Sequence, residues 1–198
     1  VHRCADAGAI LLKVLPTAHQ FDPADRKYTP FYRALAERKL PFLSHVGYEF
    51  SLIGKDQSVG EPDRLRLALE EGATVIAAHA CSYGLILYEK FLPTLRDLVT
   101  RYPHFYADIS ALTLPNRMRM LLHLRQYPEL HERLLFGTDY PLSVFHMAAW
   151  GRVALGTLRK MIGTKNRFDR QVEVCNGLQL GFRSLGDLLP HSSGMAGH

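Results

Sequence analysis

Three apolar runs in this sequence each end on a side chain that can exchange a proton or bind a cation. Pro41-Phe42-Leu43-Ser44 runs into His45, Thr74-Val75-Ile76-Ala77-Ala78 into His79, and Leu134-Leu135-Phe136-Gly137-Thr138 into Asp139, where Tyr140-Pro141 halts the run. Imidazole and carboxylate suit zinc, iron or manganese, and the same groups serve as general bases. A lone histidine at such a position is more often a hydrogen-bonded core group, and a lone Asp more often caps a turn. Three matched groups at three equivalent positions point instead to one site. Lys13 interrupts a fourth apolar run, residues 9–15, and Asp108 lies near the end of a fifth, residues 104–109.

Each run must be positioned by an element, and the spacing says which. Residues 134–136 are too few for a helix, and Pro141 cannot donate to a following ladder. The runs begin near residues 9, 41, 73, 104 and 133, a repeat of 29 to 32 residues. Helical patterns separate them. Asp22 as N-cap and Pro23 at the first helical position introduce Tyr28, Phe31, Tyr32, Leu35 and Ala36 on one face. Leu65, Ala68 and Leu69 mark a helix over 61–71. Tyr88, Phe91, Leu92, Leu95, Leu98, Val99 and Tyr102 mark a longer one, and Met118, Leu121 and Leu122 another. After Asp139 come a helix through Trp150, Ala154 and Leu158 and one over roughly 169–180, while residues 1–8 read as the tail of a helix running into Gly8.

Alternation of strand and helix at this spacing predicts parallel βα units. A barrel gathers every strand end around one axis, whereas an open doubly wound sheet gathers them mainly at a switch point. Successive strands that each end in a reactive group favour the barrel. Residues 1–190 are expected to belong to one domain, with 191–198 a disordered tail.

An apolar content of 47% with 22% charged residues predicts an ordinary globular fold, and no run approaches the length of a membrane span. Cys4, Cys81 and Cys175 are widely spaced without a Cys-x-x-Cys, which predicts free thiols in a reducing, cytoplasmic setting. The formal charge of +5 is scattered, as at Glu37-Arg38-Lys39, so a small anionic substrate is expected rather than nucleic acid or a membrane; a homodimer is compatible with this reading. His131-Glu132 has Leu135 where a zinc-protease helix needs its second histidine, and neither a nucleophile elbow nor a phosphate-binding glycine loop occurs.

Taken in order, Lys13, His45 after Pro-Phe-Leu-Ser, His79 after Val-Ile-Ala-Ala, Phe105-Tyr106-Ala107-Asp108-Ile109-Ser110 and Phe136-Gly137-Thr138-Asp139-Tyr140-Pro141 resemble the amidohydrolase superfamily. More narrowly they resemble its amidohydrolase-2 branch, which includes non-oxidative aromatic-acid decarboxylases. Cys175-Asn176-Gly177-Leu178-Gln179-Leu180 is similar to the family's closing-helix motif, and the resemblance spans roughly residues 8 to 182. It implies strands four to eight of a (β/α)8 TIM barrel and one divalent metal, zinc foremost. By the same resemblance His45 is a metal ligand, Asp139 a ligand that also accepts a proton, and His79 the general base or a substrate-polarising group. Lys13 is assigned to a substrate contact or a salt bridge, with the carboxylated, metal-bridging Lys of binuclear relatives as the alternative; Arg117 and Arg119 are candidates to hold a substrate carboxylate, against the reading of an exposed helix face. Asp108 is assigned to orienting a histidine, with a structural role at the strand end an equal alternative.

The family's first strand supplies a His-x-His pair, and no His-x-His occurs in these 198 residues. The expectation is therefore a piece of a longer protein, or a chain whose metal site is lost. Three outcomes stay open: hydrolysis of a small cyclic or aromatic carboxylic acid or its ester or amide, non-oxidative decarboxylation, and a truncated chain without activity. Strands four to eight alone would also leave two open sheet edges, at residues 9–15 and 134–139.

Overall fold

The computed structural model describes residues 1–50, 56–85 and 88–189. The expected tail lies outside the described residues, as does part of the loop between residues 47 and 60. Five strands, β1 (Leu12–Val14), β2 (Phe42–Ser44), β3 (Val75–Ala77), β4 (Phe105–Asp108) and β5 (Leu134–Leu135), form one parallel sheet in sequence order. Leu12 lies opposite Phe42, Phe42 opposite Val75, Val75 opposite Phe105, and Ala107 opposite Leu134. Strict neighbour-to-neighbour order has no reversal, so there is no switch point, and all the strand ends point the same way. This is the arrangement of a (β/α)8 barrel, of which the chain forms part.

Helices α1 (His2–Asp6) and α2 (Pro16–His19) flank β1, and α3 (Thr29–Glu37), α4 (Arg66–Glu70), α5 (Leu92–Arg101) and α6 (Met118–Leu124) connect the later strands. Helices α7 (Leu155–Gly163) and α8 (Arg167–Gly177) follow β5. Burial follows the helical period: Tyr32 and Leu35 on α3, and Leu95 and Leu98 on α5, are fully buried against the strand residues Phe42 and Phe105. Among the described residues no helix is long and apolar enough to cross a membrane.

Several expected boundaries move for local reasons. The longest apolar helical pattern starts at Leu92 rather than Tyr88, because Pro93 fits only in a first turn; Tyr88 is exposed. Asp22 caps a turn, accepting from the Ala24 N–H, and α3 begins later, at Thr29, with Pro30 in its first turn. The 61–71 helix is divided into a 3-10 turn over Pro62–Leu65 and α4. Trp150 lies outside α7 and is exposed. Helix α8 starts earlier than expected because the Asn166 side chain accepts from the Phe168 and Asp169 N–H groups.

The strands are shorter than their apolar runs, and the rest of each run turns into the site. The outer edge of β5 is not open: Phe136 donates to the Arg183 carbonyl and Arg183 donates to that of Leu134, both at 2.8 Å. The expectation of a second bare edge fails because the chain returns from α8 to cover it.

Candidate active site

His45 follows the last residue of β2, and its own N–H donates to the Val14 carbonyl of β1 at 2.9 Å, which locks the strand end in register. The chain then turns at Gly47, whose φ of +92° and close approach to the Ser82 carbonyl exclude a side chain: an added Cβ would lie 2.0 Å from that oxygen. Tyr48 donates to the Tyr83 carbonyl, and the Gln57 amide both donates to and accepts from the Glu49 backbone. Glu49, only 8% exposed, thereby faces the His45 ring, with Oε2 3.5 Å from Nε2.

His79 lies beyond β3 in a more contorted segment. His79, Ala80 and Cys81 all have left-handed backbones, with φ of 57°, 47° and 59°. Such residues concentrate where surrounding structure enforces them, commonly at functional sites. The enforcement is visible: the His79 N–H donates to Asp108 Oδ1 at 2.9 Å, and the Ser82 N–H donates to the His79 carbonyl at 2.8 Å. Cys81 is packed without exposure, and burial holds its thiol well above the ordinary range. It has the character of a buried core thiol and not of a nucleophile.

Asp108 ends β4 and organises this corner. Its Oδ1 accepts from the His79 N–H, from the Ser110 N–H at 3.0 Å and from the Ser110 hydroxyl at 2.5 Å. Burial pushes its carboxyl above the usual carboxylate range, and those hydrogen bonds pull the other way. With the Ser110 hydroxyl proton directed to Asp108, His79 Nδ1 must donate, to the Ser110 carbonyl at 3.0 Å and to Oγ at 2.8 Å. The Nε2 lone pair of neutral His79 then faces His45 Nδ1 at 3.2 Å, so His45 donates there. Its remaining nitrogen, Nε2, is buried without a hydrogen-bond partner.

Asp139 is not at a strand tip. It lies four residues beyond β5, in a loop, with a φ of +58°. Its Oδ2 is 4.0 Å from His79 Nε2, and its side chain is 29% exposed. Gly137 lets this loop press against β4, since a Cβ there would lie 3.2 Å from that of Ser110 and 3.3 Å from that of Asp108. Gln171 of α8, 2% exposed, donates to the carbonyls of Gly137 and Ile109 and ties loop to strand end.

A cavity of about 340 Å³ opens over this group, lined among others by Lys13, His45, Glu49, His79, Arg117 and Asp139. Arg117 is 5% exposed and donates to the Ser82 and Tyr48 carbonyls. Burial pulls its guanidinium below the ordinary value, while Asp139 and Glu49 act in the opposite sense. Desolvation, with Arg117 adding to it, lowers His45 to about 4 and places His79 well below the usual imidazole range. A larger cavity, about 690 Å³, is lined by Arg119, His123, Arg125, His131 and Arg152. Both ring nitrogens of His131 are bound to backbone there, and no acid–base pair converges on it.

The structure thus brings Lys13, His45, His79, Arg117 and Asp139 to one cavity and places Asp108 behind His79. Glu49, Ser110 and Gln171 are the participants that the sequence reading did not assign. Glu49 stands four residues after His45 but in a loop, and Ser110 follows Asp108 by two; Gln171 had no signal at all. Among the described residues no three His, Cys, Asp or Glu side chains stand in metal-holding geometry. The donor types suit a divalent ion, but the unpartnered His45 Nε2 faces Glu49, whereas His79 and Asp139 lie on the Nδ1 side, so the described residues do not by themselves form a metal site.

The family described as amidohydrolase matches residues 1–155. No curated protein matches the chain. Among solved structures the chain is similar to an uncharacterized TIM-barrel protein from Bordetella bronchiseptica, with a TM-score of 0.57 at 18% identity. That likeness covers 90% of this chain and 58% of the other, so the chain spans little more than half the length of its structural neighbour.

Proposed function

Because the chain belongs to the amidohydrolase family, we propose that it carries the acid–base half of a metal-dependent hydrolase acting on a small cyclic or aromatic carboxylic acid, or on its ester or amide. The observation that supports this most is the file of buried His45 and His79 with the partly exposed Asp139, spaced 3.2 and 4.0 Å apart, on the wall of one cavity. His45 and Asp139 are the residues that would hold a divalent ion, zinc foremost. Two protein ligands fall short of the three or four of a zinc site, and the family's His-x-His pair is absent from this sequence. When bound, such an ion acidifies water and polarises a carbonyl oxygen.

The chain's own residues supply the rest. His79 is held neutral by burial, and its Nδ1–H is committed to Ser110, so Nε2 is the atom that takes a proton. Asp139, partly open to the cavity, takes a second proton and passes it to the leaving group. Arg117 and Lys13 give the cavity a positive lining that suits a substrate carboxylate. The same residues serve decarboxylation if His79 passes the proton it took from water to the ring carbon as the bond from that carbon to the carboxylate breaks. The remaining hydroxide then leaves with the carboxyl carbon as bicarbonate, in place of an alcohol or amine.

Asp139→Asn tests the reading. The amide keeps the size at a partly exposed loop position, so folding should be retained, while the charge and the proton acceptor are lost. Turnover should fall by about 10²-fold or more, measured alongside metal content. A variant with undiminished activity removes Asp139 from the chemistry.

A further inference from the structure

Arg117 and Arg119, two residues apart, were candidates for one substrate carboxylate, but the fold sends them to different cavities. Arg117, the N-cap of α6, lines the active-site cavity, while Arg119 lines the larger one of about 690 Å³. The helical period explains the parting, since two residues turn a helix by about 200°. Arg119, Leu122 and His123 share the outer face of α6, opposite the buried Met120, Leu121 and Leu124, and Gln126 continues their row. Arg125 is the C-cap of the same helix. Arg152 comes from the segment before α7, where its Nη1 donates to the Trp150 carbonyl at 3.2 Å. His131 fixes the remaining wall: Nε2 donates to the Leu124 carbonyl and Nδ1 accepts from the Gly181 N–H, both at 3.1 Å. That joint ties the end of α6 to the chain leaving α8.

Three guanidiniums thus converge on one concave surface, and among the described residues that line it none is acidic. Elsewhere arginines are paired with carboxylates: Arg33 with Glu71, Arg38 with Asp6, Arg64 with Asp22 and Arg101 with Asp97. Arg125 and Arg152 have no such partner among the described residues. Like charges gathered in a cavity sum their potentials and draw in an anion. Guanidinium forks match oxyanions bidentately. A phosphate group, doubly charged and with three acceptor oxygens, engages several forks at once, whereas one fork fills a carboxylate. The cavity volume lies within the ~300–1,000 Å³ of small-molecule sites, and Leu122 and Pro128 offer apolar surface to an organic remainder. The arginines gather in one cavity and do not track along a face, which suits a small molecule and not a nucleic-acid strand. We propose that this cavity is a second, non-catalytic site that binds a phosphorylated small molecule through Arg119, Arg125 and Arg152. It shares no group with the chemistry of the other cavity, so its failure would leave that reading untouched.

Inorganic pyrophosphate and phenyl phosphate are titrated by calorimetry into the purified full chain, with folding checked by circular dichroism. The variants are Arg125→Gln with Arg152→Gln, Arg125→Lys with Arg152→Lys, and Lys13→Gln. Arg125 and Arg152 are exposed, so both pairs should fold. The parent should bind both probes, and the glutamine pair should weaken binding by at least about tenfold. The lysine pair keeps the charge without the fork and should fall between the two. Lys13→Gln, altered in the other cavity, should match the parent. In parallel, pyrophosphate should shift the backbone amide NMR signals of Leu122, His123, Arg125 and Arg152 and leave those of His45 and His79 in place. That measurement uses the unaltered chain and stands even if a variant fails to fold. No binding to the parent, or a smaller loss in the glutamine pair, overturns the site. Full affinity in the lysine pair reduces it to a diffuse positive field and overturns it as well. Binding lost in Lys13→Gln, or shifts confined to His45 and His79, places the anion in the active-site cavity instead. A single-stranded oligoribonucleotide held more than about tenfold tighter than pyrophosphate by the same arginines overturns the small-molecule class.

Discussion

Replacing Gly47 by Ala should unfold the site's scaffold more than any comparable glycine change. The added Cβ would sit 2.0 Å from the Ser82 carbonyl and 3.1 Å from that of Tyr83. Backbone on one side or the other must therefore move by more than an ångström. The move breaks the 3.0 Å bond from Arg117 to the Ser82 carbonyl and the 2.9 Å bond from Tyr48 to the Tyr83 carbonyl. A charged hydrogen bond contributes about 1.5–3 kcal/mol and a neutral one about 1 kcal/mol, and a left-handed alanine costs about 1–2 kcal/mol. Together these give roughly 4–6 kcal/mol, a large part of the ~5–15 kcal/mol that holds an ordinary domain. Gly8 supplies the control: its φ is +84°, close to that of Gly47, but nothing lies within 4 Å of its Cβ position. Gly8→Ala should cost only the backbone part, about 1–2 kcal/mol. Urea unfolding of the two variants beside the parent isolates the steric part. A difference between them below about 1 kcal/mol would refute the claim that this turn is held by close approach.

Two further outcomes follow from the buried network. Asp108→Ala strands three donors, the N–H groups of His79 and Ser110 and the Ser110 hydroxyl, and should cost about 3 kcal/mol or more; Asp108→Asn, which keeps one acceptor oxygen, should cost less in the same unfolding assay. The metal-free protein should also weaken in acid. His45 titrates near 6.5 when unfolded and is lowered to about 4 by burial in the fold, so its contribution is complete above pH 6.5 and is lost as pH falls towards 4. That window corresponds to roughly 3 kcal/mol. Equal stability at pH 7 and pH 4.5, or an unchanged slope in His45→Gln, would contradict it.

The parts of this molecule legible from sequence are those set by period. Apolar runs recurring every 29 to 32 residues announced five parallel strands, because strands covered on both faces cannot alternate. The terminal positions of His45, His79 and Asp139 announced that they would meet. Strand length was not legible. Apolar composition carries on through Ala78 and Ala80, while the hydrogen-bond ladder stops at Ala77, where the left-handed turn swings His79 inward. Burial and pairing are different properties, and the sequence pattern reports only burial.

The supporting groups were hidden for a related reason. Ser110 and Gln171 act on partners far along the chain: Ser110 holds the His79 ring 31 residues away, and Gln171 is 34 residues from Gly137 and 62 from Ile109. Nothing in the helical or strand period marks either side chain. Yet Ser110 sets which nitrogen of His79 carries a proton, and Gln171 ties the Asp139 loop to β4. Asp108 makes the point most sharply. It was expected to orient a histidine or to serve the strand end structurally, and it holds His79 by the backbone N–H and, through the Ser110 hydroxyl, by the ring. The proton-bearing face of the site is thus set two contacts away from the reactive atoms, by groups whose removal would leave every expected catalytic residue in the sequence and misdirect them all.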